Sequence, residues 1–233
     1  MGRNTALWRT VLWAVALTCC AATGAAASSL GGLTSDEVFV TSNTVAANAP
    51  TVVMADSFTT ASTLDGRLPE SVGTSLWREV NGRWVVRSGY LDPPNSPNAL
   101  VLYPAALSDV RVEVAVVVTS GYRFGLVARG TATGPTYLMA SISSSGQAVI
   151  EKTVSGVTTV LASAPFVAPL VQFTLTLVAV GSTLELRTNG SLLVSHVLSP
   201  ADVAIFASLT DAGLWVSSSG NERLDDFRIT TVT

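Results

Sequence analysis

The chain has 233 residues and a formal charge of −3; 48% of its residues are hydrophobic and only 12% are charged, about half the usual share for a soluble domain. Lys152 is the single lysine and no Lys/Arg cluster occurs, which argues against nucleic acid as a partner. The length allows one large β domain or two small ones, with ample apolar content for a core.

The N-terminus has the three parts of a secretory signal. Arg3 and Arg9 form the positive start, residues 11–22 an apolar stretch, and Ala25-Ala26-Ala27 an A-x-A cleavage motif before Ser28. The apolar stretch is marginal against the roughly 20 residues of a membrane-spanning helix, so cleavage is favoured over an uncleaved anchor. Residues 1–27 are therefore expected to be a signal peptide and the mature protein to be secreted. Cys19 and Cys20 both fall in this leader, which leaves the mature chain without disulfide or thiol chemistry. Leu17-Thr18 before Cys19 lacks the small residue expected ahead of a lipidated cysteine.

Residues 28–50 are rich in Ser, Gly, Thr, Asn and Ala around one apolar patch, Val38-Phe39-Val40, and read as a linker or flexible arm. Such a patch can still form a strand by adding to an open sheet edge.

Residues 51–233 read as one strand after another, with Val-, Leu- and Thr-rich runs cut by Gly, Pro, Ser and Asn. That is the pattern of an all-β sandwich or barrel, with hardly a helical signal. In residues 111–118 the even positions are all Val while Arg111 and Glu113 face the other way. Phe173, Leu175 and Leu177 alternate with polar residues in the same manner. Asn189-Gly190 is a two-residue hairpin turn that pairs 183–188 with 191–196 and sets Leu186 opposite Leu193. This register puts His196, the single histidine, on the face of Glu185 and Arg187, a surface position with no catalytic partner in view. Near the end, Leu224 and Phe227 are three apart, so both face inward only if the strand slips one residue at Asp225-Asp226.

Several motifs carry a family resemblance. Asp56-Ser57-Phe58 opens the domain; Trp77 precedes Asn81-Gly82-Arg83-Trp84-Val85-Val86, followed by Gly89-Tyr90-Leu91. The strand at 110–118 and Gly125-Leu126-Val127-Ala128-Arg129 come next, and Leu224-Asp225-Asp226-Phe227-Arg228-Ile229 closes the chain. Their order resembles the concanavalin A-like lectin/glucanase superfamily, in particular the laminin-G-like jelly rolls of bacterial secreted proteins, over roughly residues 52–233. The resemblance implies a two-sheet antiparallel jelly-roll sandwich with one concave sheet and adjacent first and last strands. Sheet-on-sheet packing is also what an all-β chain of this length requires. A second resemblance lies in the arm. Leu33-Thr34-Ser35-Asp36 and Ser42-Asn43-Thr44-Val45-Ala46-Ala47 are similar to the start of proteins exported through the SipW-type signal peptidase, some of which form matrix fibres on bacterial surfaces.

Trp77 and Trp84 then have two readings. They can be core anchors of a hairpin turning at Asn81-Gly82, which is favoured, or a platform on which sugar rings stack. Catalytic constellations are missing. None of the seven Glu residues begins the same-strand Glu-x-Asp-x-x-Glu motif of the superfamily's glucanases, and no G-x-S-x-G, H-E-x-x-H, phosphate loop or Cys/His cluster occurs. Calcium is the one metal to weigh, through Asp56, Asp225 and Asp226 on strands that the resemblance sets side by side; an acidic pair at a bulge is the alternative. The leading expectation is a secreted, non-catalytic module for surface adhesion or for binding a polysaccharide or cell-surface glycan. Its alternatives are a fibre subunit that self-associates by donating residues 36–47 as a strand and, behind that, a divergent glycoside hydrolase.

Overall fold

The fold is given by a computed structural model that describes residues 49–232 apart from 95, 119, 120, 170 and 218–221. The signal peptide, nearly all of the arm and the donated-strand segment lie outside the described residues.

The strands in chain order are β1 (Val52–Asp56), β2 (Ser62–Thr63), β3 (Arg78–Asn81), β4 (Val85–Arg87), β5 (Tyr90–Asp92) and β6 (Ala99–Pro104). Then come β7 (Val110–Val117), β8 (Arg123–Thr131), β9 (Thr136–Ser143), β10 (Gln147–Val154) and β11 (Val157–Pro165). The chain finishes with β12 (Phe173–Val180), β13 (Thr183–Thr188), β14 (Ser191–Val197), helix α1 (Pro200–Phe206), β15 (Asp211–Val216) and β16 (Arg223–Thr230). A nine-stranded sheet runs β14-β13-β12-β7-β16-β5-β4-β2, with β1 added on β16; a seven-stranded sheet runs β11-β10-β9-β8-β15-β6-β3. All the strand pairs are antiparallel. The protein is thus an all-β, two-sheet jelly-roll sandwich.

Alternation puts the core where the sequence pattern placed it. Val110, Val112, Val114 and Val116 of β7 are buried while their neighbours are half-buried, and Phe173, Leu175 and Leu177 of β12 face the same interior. From the other sheet, Leu126, Ala128, Leu138, Ala140, Leu214 and Val216 close on them. Period-2 strands leave one apolar face per sheet, and packing the two faces together removes both from water.

The terminal strands meet as the resemblance implied: β1 pairs β16, with Asp56 opposite Phe227. One extra residue sits in β16 between Asp225 and Arg228, where Asp226 has φ 47°, and Leu224 and Phe227 are both buried. The slip is a β-bulge that keeps two inward side chains three residues apart on one face.

Three local expectations change. The turn at Asn189-Gly190 is present, but Leu193 is an extra residue in β14, so Leu186 stands opposite Val194. That bulge moves His196 opposite Leu184, onto the inward-facing side and half-buried, not beside Glu185 and Arg187. A second bulge makes Leu161 the extra residue in β11, and both leucines pack against the core along the flank where β11 and β14 approach each other. Trp77 and Trp84 do not share a hairpin: β3 belongs to the seven-stranded sheet and β4 to the nine-stranded one, so Asn81-Gly82 carries the chain across the sandwich. Gly82 fits there because a Cβ would lie 2.7 Å from Pro94 and 2.8 Å from Ala99, at a φ of +81°. Finally, α1 interrupts the strands. Its start was legible: Ser199 caps the helix by accepting from Asp202 N, Pro200 opens it, and Asp202 sits in the first turn and pairs with Lys152.

Candidate functional site

The outward positions of the seven-stranded sheet build a second apolar cluster, separate from the main core: Leu100, Leu102, Val127, Tyr137, Met139 and Trp215. Each alternates in its strand with a residue of the main core. Over this cluster lies a cavity of about 620 Å³ to which every strand of the sheet contributes. Asn81 comes from β3, Leu100 from β6, Trp215 from β15, Arg123 from β8, Tyr137 from β9, Glu151 from β10 and Thr158 from β11. It is a groove running across the strands.

Its centre is a stack. The guanidinium carbon of Arg123 lies 5.1 Å from the centroid of the Trp215 ring, within cation–π range. Nη2 of Arg123 donates to both oxygens of Glu151, at 2.9 and 3.0 Å. The Glu151 side chain is 5% exposed and that of Arg123 41%, so the carboxylate is the buried member of the pair. Gly125 stands directly opposite Trp215 and contributes no side chain beside the indole. A Cβ there would meet Ala140 O at 2.7 Å and Ser141 Cβ at 2.9 Å.

Around the stack are neutral polar groups. Burial pushes the Tyr137 phenol up, and the Glu151 charge adds to this against a hydrogen bond with Thr153, so the phenol stays neutral. Thr153 Oγ1 and Thr158 Oγ1 lie 2.9 Å apart. On the opposite rim, Asn81 Nδ2 donates to Pro97 O at 3.1 Å and Asn98 O at 3.2 Å, fixing the loop that enters β6. Trp215 is 4% and Tyr137 6% exposed, so the groove presents the guanidinium over Trp215 and the edges of the two rings, next to hydrogen-bonding groups. Glu151 is the one carboxylate among the described lining residues, and Arg123 engages both its oxygens. Glycoside hydrolysis of the usual kind needs two.

The residues singled out from the sequence lie elsewhere. Trp77 and Trp84 are 0% exposed, so neither indole offers a face to a ligand. In place of a platform, Trp77 packs with Phe58, Tyr103 and Phe227 and donates its Nε1 to Asp56 Oδ2 at 2.8 Å. Asp56 is fully buried. Besides Trp77 it engages Arg67 and accepts from Phe58 N at 3.2 Å, and burial still pushes its carboxyl up. Asp225 is also pushed up by burial, with the Asp226 and Glu70 charges adding to it, and accepts from Asp226 N; Asp226 is exposed at the bulge. Among the described residues no three such groups gather around a common point.

Sequence reasoning passed over Arg123, Tyr137, Glu151 and Trp215. One signal was available: in Ala212-Gly213-Leu214-Trp215-Val216, strand alternation sets Trp215 opposite to Leu214 and Val216, on the outward face, where it joins a contiguous apolar cluster.

No protein-family model matches the sequence, and no curated protein matches it. Among solved structures the sandwich is similar to the carbohydrate-binding module CBM66 from Bacillus subtilis, with TM-score 0.57, 16% identity and coverage of 66% of this chain and 95% of that one. It is similar to a Bacillus subtilis protein of unknown function with a galectin-like fold, with TM-score 0.53, 12% identity and coverage of 67% and 90%. SCLam, a non-specific endo-β-1,3(4)-glucanase of family GH16, aligns with TM-score 0.54, 10% identity and coverage of 78% and 91%. At such identities the likeness establishes the fold, a two-sheet antiparallel β-sandwich, and leaves function to the site. The SipW-type resemblance gains no support: these matches bear on the sandwich, and the leader and most of the arm lie outside the described residues.

Proposed function

We propose that this chain is a secreted, non-catalytic glycan-binding module acting at a cell surface. The observation that carries the reading is the groove across all seven strands, in which Trp215, Arg123, Glu151 and Tyr137 converge on an apolar floor. Sugar rings have apolar faces and a hydroxyl rim. The stacked guanidinium and aromatic edges suit the faces, and Asn81, Thr153 and Thr158 suit the rim. That two of the similar structures are by name a carbohydrate-binding module and a glucanase agrees with this ligand class. The paired state of the single lining carboxylate favours binding over hydrolysis.

Affinity electrophoresis through gels containing a panel of polysaccharides tests the reading, with a reducing-sugar assay on the same panel. The expected result is retardation by at least one polysaccharide, reduced at least tenfold in apparent affinity by Trp215→Leu in a variant that still melts cooperatively, and no release of reducing ends. A protein that no polysaccharide retards, or one that releases reducing ends, overturns the proposal.

A further inference from the structure

We infer that the groove selects uncharged glycans, with Arg123 as the contact that reads them and Glu151 as the group that turns acidic sugars away; the inference rests on the glycan-binding reading. Arg123 and Glu151 are the only charged residues among the cavity's described lining, and they are bound to each other. The site therefore carries one positive and one negative charge at contact distance and no net charge for an anion to seek.

The bonding pattern of the pair makes the selection specific. Both Glu151 oxygens are taken by the same nitrogen, Nη2. Nε and Nη1 of Arg123 have no hydrogen-bond partner among the described residues, and the guanidinium carbon sits over the Trp215 ring, 5.1 Å from its centroid. The Arg123 side chain is 41% exposed and lines the groove, so its remaining N–H donors are accessible to a ligand there. Hydroxyl and ring oxygens of a neutral sugar can accept from them without disturbing the ion pair. A carboxylate or sulfate at the same place would lie within a few ångströms of the Glu151 carboxylate, which is buried and poorly screened. Repulsion from Glu151 offsets the attraction to Arg123, and the acidic ligand still loses its hydration. This is discrimination by a built-in repulsive element, which a neutral ligand does not feel.

The experiment is isothermal titration calorimetry with laminarihexaose, cellohexaose and a β-1,4-galactan hexamer against hexagalacturonate and a heparin-derived hexasaccharide, at low and high salt. Wild type is expected to bind at least one neutral oligomer, with an affinity that changes less than twofold between the two salt concentrations, and to bind the acidic oligomers at least tenfold more weakly. Glu151→Gln keeps the shape and removes the repulsion. It is expected to raise affinity for the acidic oligomers at least tenfold and to make it salt-dependent, without a comparable gain for the neutral ones. If Glu151→Gln does not fold, the wild-type ranking and its salt dependence decide alone. Preferential binding of an acidic oligomer by wild type, or a folded Glu151→Gln that still rejects acidic sugars, overturns the inference and leaves the glycan-binding reading standing. Absence of binding to either class overturns both.

Discussion

Trp77 and Trp84 are equally buried, but the sandwich holds them differently. Trp77 Nε1 donates to Asp56, whereas Trp84 Nε1 has no hydrogen-bond partner among the described residues. Phenylalanine at either place leaves a small void; at position 77 it also deprives a buried carboxylate of a donor, which costs about 1–3 kcal/mol more. Thermal melts of Trp77→Phe and Trp84→Phe should therefore differ by several degrees, with Trp77→Phe the lower, since each kcal/mol moves the midpoint of a domain this size by roughly 2–4 °C. Equal midpoints would mean that the Asp56 contact contributes nothing. At this scale the sequence was only partly legible. The motif around Trp84 identified core aromatics, but the groove depends on Arg123 meeting Glu151 across 28 positions and on Trp215 from a strand later in the chain. No local spacing encodes that convergence. It comes from the strand order, in which β15 enters the sheet between β6 and β8.

Among the elements, β16 and β14 show what a period-2 pattern can reveal and what it hides. The bulge in β16 was readable because Leu224 and Phe227 demand the same face. The bulge in β14 was not, because Leu192, Leu193 and Val194 are all apolar and either register satisfies the pattern; the flank shared with β11 decides in favour of Val194. Helix α1 was overlooked because it is short, although Ser199, Pro200 and Asp202 mark its start. The β16 bulge is also where the question of calcium is settled by experiment. Asp226 is exposed at a positive φ that glycine adopts without cost, so Asp226→Gly should be neutral or stabilising by up to about 1 kcal/mol. Phe227→Ala truncates a fully buried ring and should cost about 3–5 kcal/mol. Adding a chelator should leave the wild-type midpoint unchanged, because Asp56 is already engaged by Arg67 and Trp77. A bound ion at a hundred times its dissociation constant would instead contribute about 2.7 kcal/mol, and a chelator-sensitive melt that Asp226→Gly abolishes would establish a calcium site here.

For the molecule as a whole, alternation and the sandwich architecture were legible because an all-β chain has few ways to bury its apolar faces, but the division of β3 and β4 between the sheets was not, since Asn81-Gly82 looks the same in a hairpin and in a crossing. The folded sandwich also imposes a pH profile that no segment predicts alone. Burial works against the charge on Glu70, yet hydrogen bonds from Thr59 Oγ1, Thr59 N, Thr60 N and Ser57 outweigh it and lower its pKa to about 2. Asp202 is held down mainly by Lys152, while at Glu113 Arg111 and Thr176 overcome the effect of burial. Carboxyls depressed in this way stabilise the fold above their unfolded pKa, and that stability is lost as pH falls from about 4.5 toward 2. The Glu70 share is on the order of 2 kcal/mol after allowance for screening by solvent. Asp56, Glu79, Asp211 and Asp225 are shifted the other way, each chiefly by burial. The folded state holds their protons more tightly than the unfolded chain does, so their contribution grows as pH falls through their raised values and is lost as pH rises. The two sets oppose each other, and calorimetric melts from pH 8 to pH 2.5 should trace a dome with its top in the mildly acidic range. Glu70→Gln should flatten the acid limb and leave the other side in place. A midpoint that kept climbing down to pH 3, or an acid limb that Glu70→Gln did not change, would show that these carboxyls do not set the stability of the sandwich.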